Sequence, residues 1–398
     1  MTRIPISGIG VVVPGAIGVE AFRAFLAAGR TAVADVDRFD TAPYRSKKAA
    51  LVRDFKPRDF INPMKMRRMN TLSRLGLSAA RLAIDDYGAP LDMNTGVALG
   101  TSFGPVQTSV DYMQEYVEKG AALAPPQLFA ESVANAPGSH IAIEWNLRAF
   151  NITVTQRESS ALAAAMYASS QLVKGTVTSA LIGGVEEVND MIFSVLDRIG
   201  ALAHVDGDVD EAARPFDARR NGMILGEGSV VLVAARGGRK TYGWLSGFGI
   251  SRDTTATISD WGHDAEAVVA AMRAAIADAE LSVHDIDAIY AAANSTPKAD
   301  ALEARAIEAL FGERIPPVVA TKGYFGEYAA SCAAQLAAAL IAVDEQTLPV
   351  SAGFEQRDPS MRIEITRERR PTALRHVLVN SISAGGGIIC AVVSREES

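Results

Sequence analysis

Apolar strand-like runs alternate with helix-like runs along this chain, and the alternation is gone through twice. The first pass opens with a strand at Ile4–Val13, crosses a helical stretch at Asn70–Tyr87 and closes at Gly228-Ser-Val-Val-Leu-Val-Ala234. A turn-rich link, Ala235-Arg-Gly-Gly-Arg-Lys240, follows. The second pass repeats the plan, with a strand at Tyr242–Gly249, a helix at Asp264–Ala279, a strand at Ala288–Ala293, a helix near Ala301–Phe311, a buried helix from Ala329 to Val343 and a final strand pair. Such alternation implies a layered α/β architecture, with an N-terminal half at 1–237 and a C-terminal half at 238–398. The most telling joint is Asn151-Ile-Thr-Val-Thr-Gln-Arg-Glu-Ser-Ser-Ala-Leu-Ala-Ala-Ala-Met166. Here a strand runs into an Ala/Ser-rich helix able to pack closely against other backbone, which predicts a deeply buried elbow. Glu158 sits at that elbow, and burying a charge is costly enough to need a reason.

The spacing from Glu158 to Gly175 and on to Ala180-Leu-Ile-Gly-Gly-Val-Glu-Glu187 resembles the elongating β-ketoacyl-acyl carrier protein synthases. Further matching segments are Lys65-Met-Arg-Arg-Met-Asn70, Gly96-Val-Ala-Leu-Gly-Thr101, Arg214-Pro-Phe-Asp-Ala-Arg-Arg-Asn-Gly222, Leu225-Gly-Glu-Gly228, Thr296-Pro-Lys-Ala-Asp300 and Asn380-Ser-Ile-Ser-Ala-Gly-Gly-Gly387. The resemblance implies the thiolase fold, a five-layered α-β-α-β-α sandwich of two similar halves. It also implies a Cys-His-His catalytic set, which this chain lacks. Anchored on Gly183-Gly184, the cysteine position falls on Glu158. Anchored on Thr296-Pro297 and Asp300, the first histidine position falls on Ala292; anchored on Lys322 and Gly326, the second falls on Glu327. Lys322, an electrostatic support in the family, is retained, and the bulky gate of the terminal glycine loop becomes Ala384.

These changes imply loss of condensation. A carboxylate is a weak acyl nucleophile, and an acyl anhydride on Glu158 would hydrolyse before an extender arrived. Removing one donor to a developing oxyanion typically costs about 2.7–4 kcal/mol, and here one donor is deleted and another becomes an acceptor. Cys332 and Cys390 read as buried small hydrophobes. His140, His204, His263, His284 and His376 fall at none of the catalytic positions and read as structural or surface groups. No metal-ligand spacing is present and no cofactor is called for.

The resemblance therefore points to the non-condensing subunit called a chain length factor, which pairs with an active ketosynthase and shapes the pocket where a polyketide grows. Implied partners are that ketosynthase and an acyl carrier protein, the latter docking at Lys65, Arg67 and Arg68, which otherwise read as a solvated helix start. The dimer is expected around 107–155, where Tyr112, Met113, Tyr116, Phe129 and Trp145 suit an interface, although aromatic residues at helical spacing more often pack inward. Glu158 is expected at a helix N-terminus, neutralised by Lys322 or Arg157. Two alternatives remain open: a stand-alone enzyme using Glu158 and Glu327 for acid–base chemistry on carrier-protein thioesters, and a homodimeric acyl-binding or scaffold protein.

Composition fits a soluble α/β protein. Hydrophobic residues make up 48% and charged residues 21% of 398, with no apolar run long enough for a membrane span and no signal-peptide order at Met1-Thr-Arg-Ile-Pro-Ile-Ser. Two cysteines suit a reducing cytoplasm, and a net charge of −7 argues against nucleic-acid binding. Arg214–Gly222 reads as a loop tied by ion pairs, and Asp206, Asp208, Asp210 and Glu211 as a solvated acidic loop.

Overall fold

The computed structural model describes residues 3–328 and 330–395. Its sheet is written in the sequence twice over. Ten strands form one hydrogen-bonded path: β1 (Ile4–Val13), β2 (Thr95–Gly100), β3 (Asn151–Val154), β4 (Ser179–Glu186), β5 (Gly228–Ala234), β6 (Gly243–Arg252), β7 (Ala288–Tyr290), β8 (Val318–Val319), β9 (His376–Ile382) and β10 (Gly387–Ser394). Outward from the middle, the first half runs β1-β5-β4-β2-β3 and the second β6-β10-β9-β7-β8. In each half the first two junctions are antiparallel and the last two parallel. The halves join where β1 meets β6 antiparallel, Ile4 opposite Leu245 and Ile6 opposite Gly243.

Eight of the α-helices among the described residues matter for the layers and the site: α1 (Thr71–Tyr87), α2 (Val106–Lys119), α3 (Ala136–Glu144), α4 (Ser160–Val173), α5 (Asp190–Arg198), α6 (Ala265–Asp278), α7 (Pro297–Phe311) and α8 (Ser331–Glu345). α1 and α3 cover one outer face against β1, β5, β4 and β2, while α6 covers the other against β6, β10 and β9 with α7 packed on it. Between the two half-sheets lie α4 and α8, each touching strands of both halves. The layers are thus α-β-α-β-α. The buried helix expected from Ala329 is described from Ser331, Ala329 lying outside the described residues, and it is buried without interruption to Val343.

The middle layer explains the small residues. A Cβ on Gly184 of β4 would come within 2.9 Å of both the Ala161 Cβ and the Ala330 Cα. One on Gly100, at the end of β2, would lie 2.3 Å from the Ser160 carbonyl carbon. Glycine at these two positions and Ala/Ser on the helices let strand and helix backbones touch, which presses the start of α4 into the core. α1 starts as its sequence suggests, the Asn70 side chain accepting from the Ser73 N–H at 2.6 Å, and it stops at Gly88 in the left-handed conformation.

Two local expectations fail. Glu211 is not solvated: it is buried and accepts the Lys47 and Lys48 N–H groups at 2.8–2.9 Å, closing the loop onto the Lys48–Ala50 strand. The aromatic residues of 107–155 are also less buried than helical spacing suggests. Along α2 only Thr108 is buried, and Met113, Tyr116 and Phe129 are exposed. The Arg214–Gly222 loop is tied as expected, with Arg219 on Asp217 and Glu355 and Arg220 on Asp358. Among the described residues, no helix is long and apolar enough to cross a membrane.

Candidate functional site

Glu158 follows a strained joint. Arg157 has φ of +47°, uncommon for a residue with a side chain, and begins the single 3-10 turn Arg157–Ser159 that links β3 to α4. The joint is held from the second half by the serines of the terminal glycine loop. Ser159 N–H donates to Ser383 Oγ at 3.0 Å, Ser159 and Ser381 share a hydroxyl bond of 2.9 Å, and Ser381 Oγ donates to the Glu158 carbonyl at 3.3 Å. The Glu158 carboxyl itself turns back into the protein, where Oε2 accepts the Ala384 N–H at 3.1 Å and the residue's own N–H adds a second donor.

Glu327 is more tightly engaged. Its Oε2 takes an ion pair from Lys322 Nζ and a hydrogen bond from Asn294 Nδ2 at 3.0 Å. Its Oε1 accepts Ser331 Oγ at 2.6 Å. Of the two cations expected to neutralise Glu158, Lys322 is bonded directly to Glu327, and both Lys322 and Arg157 act on Glu158 through their charge. Ala292, buried two residues past the end of β7, offers only its N–H, which donates to Glu303 Oε1 at 2.9 Å.

The electrostatics follow from burial. Desolvation, followed by the nearby Glu327 charge, pushes the Glu158 carboxyl up to about 7 despite Arg157 and Lys322. Desolvation opposes the ammonium of Lys322, but Glu327 prevails and holds it above its ordinary value. Glu186, which sequence reasoning took only as part of a spacing motif, is also here, pushed to about 8 by burial although Ser102 N–H donates to it at 2.6 Å. Its place at the end of β4, two residues after the Gly184 that admits α4, was the signal available.

Glu158, Glu186, Glu327, Tyr328 and Ala384 line one cleft with Arg157, Phe103, Ile199 and Trp261. The cleft leaves about 30 Å³ for the centres of water-sized molecules, room for one or two waters. No group of three or more His, Cys, Asp or Glu suited to a metal occurs among the described residues. Cys332 and Cys390 are fully buried, and burial raises the Cys332 thiol to about 11, which removes the thiolate needed for nucleophilic attack. None of the five histidines lines the cleft.

Of the docking candidates, Lys65 is exposed but bonded to Glu144 at 2.6 Å, whereas Arg67 and Arg68 are exposed and make no ion pair among the described residues.

With this geometry in place, the comparison with known proteins is decisive for the family. The β-ketoacyl synthase N-terminal domain signature matches residues 1–237, and the C-terminal domain signature matches residues 242–355. The chain belongs to the β-ketoacyl synthase family. A 3-oxoacyl-[acyl-carrier-protein] synthase 2 of Coxiella burnetii is 27% identical over 409 residues, covering 99% of this chain and 98% of its own. A putative polyketide β-ketoacyl synthase 1 of Streptomyces halstedii is 30% identical over 418 residues, with coverage of 98% and 97%. Among solved structures, the ishigamide ketosynthase/chain length factor superposes with a TM-score of 0.90 at 25% identity over 99% of both chains. The layered architecture of this family member is accordingly the thiolase fold.

Proposed function

We propose that this chain is a non-condensing, ketosynthase-like subunit of the chain-length-factor type. It pairs with an active ketosynthase in type II polyketide, aryl-polyene or related acyl-chain biosynthesis and helps shape the elongation pocket. The observation that carries the reading is the Lys322–Glu327 pair. The position where the family keeps a hydrogen-bond donor holds an acceptor, and that acceptor consumes Lys322, Asn294 and Ser331 internally. Glu158 meanwhile occupies the N–H of Ala384, so a substrate carbonyl finds neither nucleophile nor donor.

The surface supports pairing. β3 is an edge strand, hydrogen-bonded to β2 on one side only among the described residues. The Ala136–Glu144 helix packed on it carries the exposed Ile143, and elsewhere in this half Met113, Tyr116 and Val117 on α2 and Met191 and Val195 on α5, which packs against α2, are exposed, as are Phe129 and Ile199. An apolar face of this kind marks an interaction site. Phe103 and Ile199 are exposed and also line the cleft, so a chain seated over them reaches the cleft. The active ketosynthase is the occupant this reading assigns, and a second copy of this chain is the scaffold alternative. The carrier protein is assigned to the pair, with Arg67 and Arg68 as exposed cations that make no ion pair among the described residues.

Denaturing mass spectrometry of the purified chain after incubation with acyl- and malonyl-carrier protein tests the chemistry. An unchanged protein mass is expected, and a stable acyl adduct contradicts the proposal.

One observation favours a second reading. Glu158, pushed up to about 7 by burial and then by the Glu327 charge, lines the same cleft as Glu327, the kind of carboxyl pair that proton transfer uses. Thioester turnover by the isolated chain, lost in both Glu158→Gln and Glu327→Gln, establishes that reading and removes the first.

A further inference from the structure

The capture of Lys322 by Glu327 leaves a neighbouring acid without a cation. Four buried carboxyls surround this lysine: Glu158, Asp300, Glu303 and Glu327. Three have no orphaned carboxyl oxygen. Glu327 has Lys322 itself, Glu158 has the Ala384 N–H, and Asp300 accepts the N–H groups of Phe216 at 2.7 Å and Asn294 at 3.0 Å with Arg220 at 3.9 Å.

Glu303, on α7, is fully enclosed and differs. Its Oε1 accepts the Ala292 N–H at 2.9 Å and Asn380 Nδ2 at 3.0 Å. Its Oε2 is buried with no hydrogen-bond partner, and so is Asn380 Oδ1, the other oxygen of the same contact. Two orphaned acceptors on two groups already joined by one hydrogen bond define a missing donor between them. A single proton on Oε2 meets both needs: the acid O–H donates to the amide oxygen while the amide N–H donates to the acid carbonyl.

We infer that Glu303 is a neutral carboxylic acid in the folded protein, closed into a cyclic acid–amide pair with Asn380 that bolts α7 to β9 behind Ala292. The proton is taken from solvent as the chain folds. The surroundings agree. Asp300 faces Glu303 from its own helix, the Cys390 thiol from β10 and the Met272 sulfur lies against Asn380 from α6. Lys322 is the cation that acts on Glu303, and its ion pair is with Glu327. Burial is the main cause that raises the Glu303 carboxyl to about 7, and Asp300 acts in the same direction. The inference stands apart from the proposed pairing and its test needs no ketosynthase.

Infrared spectroscopy of the full chain at mildly acidic pH reads protonated carboxylic acids by their carbonyl stretch. Glu303→Gln, which can form the equivalent amide–amide ring, is expected to delete one component of that band and to lower the folding-linked proton uptake near pH 6 by about one proton. Asn380→Ala, which removes the amide and keeps the acid, is expected to shift the same component. Loss of the component in the first variant together with its shift in the second establishes the pair. An acid carbonyl region unchanged in both variants overturns it, as does an unchanged proton uptake in Glu303→Gln. If Glu303→Gln does not fold, the Asn380→Ala shift decides: a shifted component supports the pair and an unshifted band overturns it.

Discussion

At the scale of single residues, the site is governed by which buried charge finds which partner. Lys322 and Glu327, both buried, satisfy one another, so removing one strands the other. Glu327→Ala leaves a buried ammonium without its carboxylate and is expected to destabilise the fold by about 3–5 kcal/mol, measured by denaturant unfolding. Glu158→Gln is different. It preserves the shape and an acceptor for the Ala384 N–H while deleting a carboxyl that titrates near neutrality, so it is expected to fold normally and to remove one titration near pH 7. Infrared or NMR titration of the two proteins checks the second point. The sequence supplied the identities of Glu158, Ala292, Glu327, Lys322 and Ala384 through spacing to glycine and proline anchors. It did not supply the pairing, because two carboxylates competed for one lysine and only their three-dimensional reach decides the contest. Glu186 was missed for a related reason: its side chain is one of several acids in a strand-end motif, and lining a cleft leaves no mark in spacing.

At the scale of elements, the strands and long helices were legible because their periodicity reflects burial in regular layers. β1 and β5 fall at the residues the sequence suggests, and α1 is ended by Asn70 and Gly88, whose capping chemistry is local. α2 was not legible in the same way. Its apolar and aromatic residues carry a core-like pattern, yet only Thr108 is buried, since a helix designed for a partner and one designed for its own core look alike in sequence. That ambiguity yields a test. Val117→Asp on α2, at a residue 76% exposed, is expected to change unfolding stability by no more than about 0.5 kcal/mol while abolishing association with the ketosynthase in size-exclusion chromatography. Loss of folding in this variant would show that the helix belongs to the core of this chain after all.

At the scale of the whole molecule, an unusual number of buried acids makes stability depend on pH from both sides. Burial raises Glu158 to about 7, Glu186 to about 8, Glu187 to about 7, Asp300 to about 6 and Glu303 to about 7. For these groups the folded state holds the proton more tightly than the unfolded chain. Their contribution is complete below about pH 4 and is lost as pH rises through about 6 to 8. Asp217 and Asp253, held below their ordinary values by hydrogen bonds that outweigh burial, and Asp358, lowered to about 2 by Ser360 and Arg220, act oppositely and lose their contribution as pH falls. Thermal unfolding followed by circular dichroism is therefore expected to show a maximum in the mildly acidic range and a decline between pH 6 and 9. A melting temperature that rises steadily to pH 9 would mean that the buried acids are ionised in the fold. The central claim, however, concerns assembly. Its most direct test is co-expression of this chain, tagged, with an active ketosynthase from the same biosynthetic system, followed by purification through the tag and assay with malonyl-carrier protein. The account predicts a stable one-to-one complex that condenses only when both chains are present and keeps its activity with Glu158→Gln. A chain that purifies alone as a homodimer and turns over the thioester by itself, losing that activity with Glu158→Gln, would contradict it.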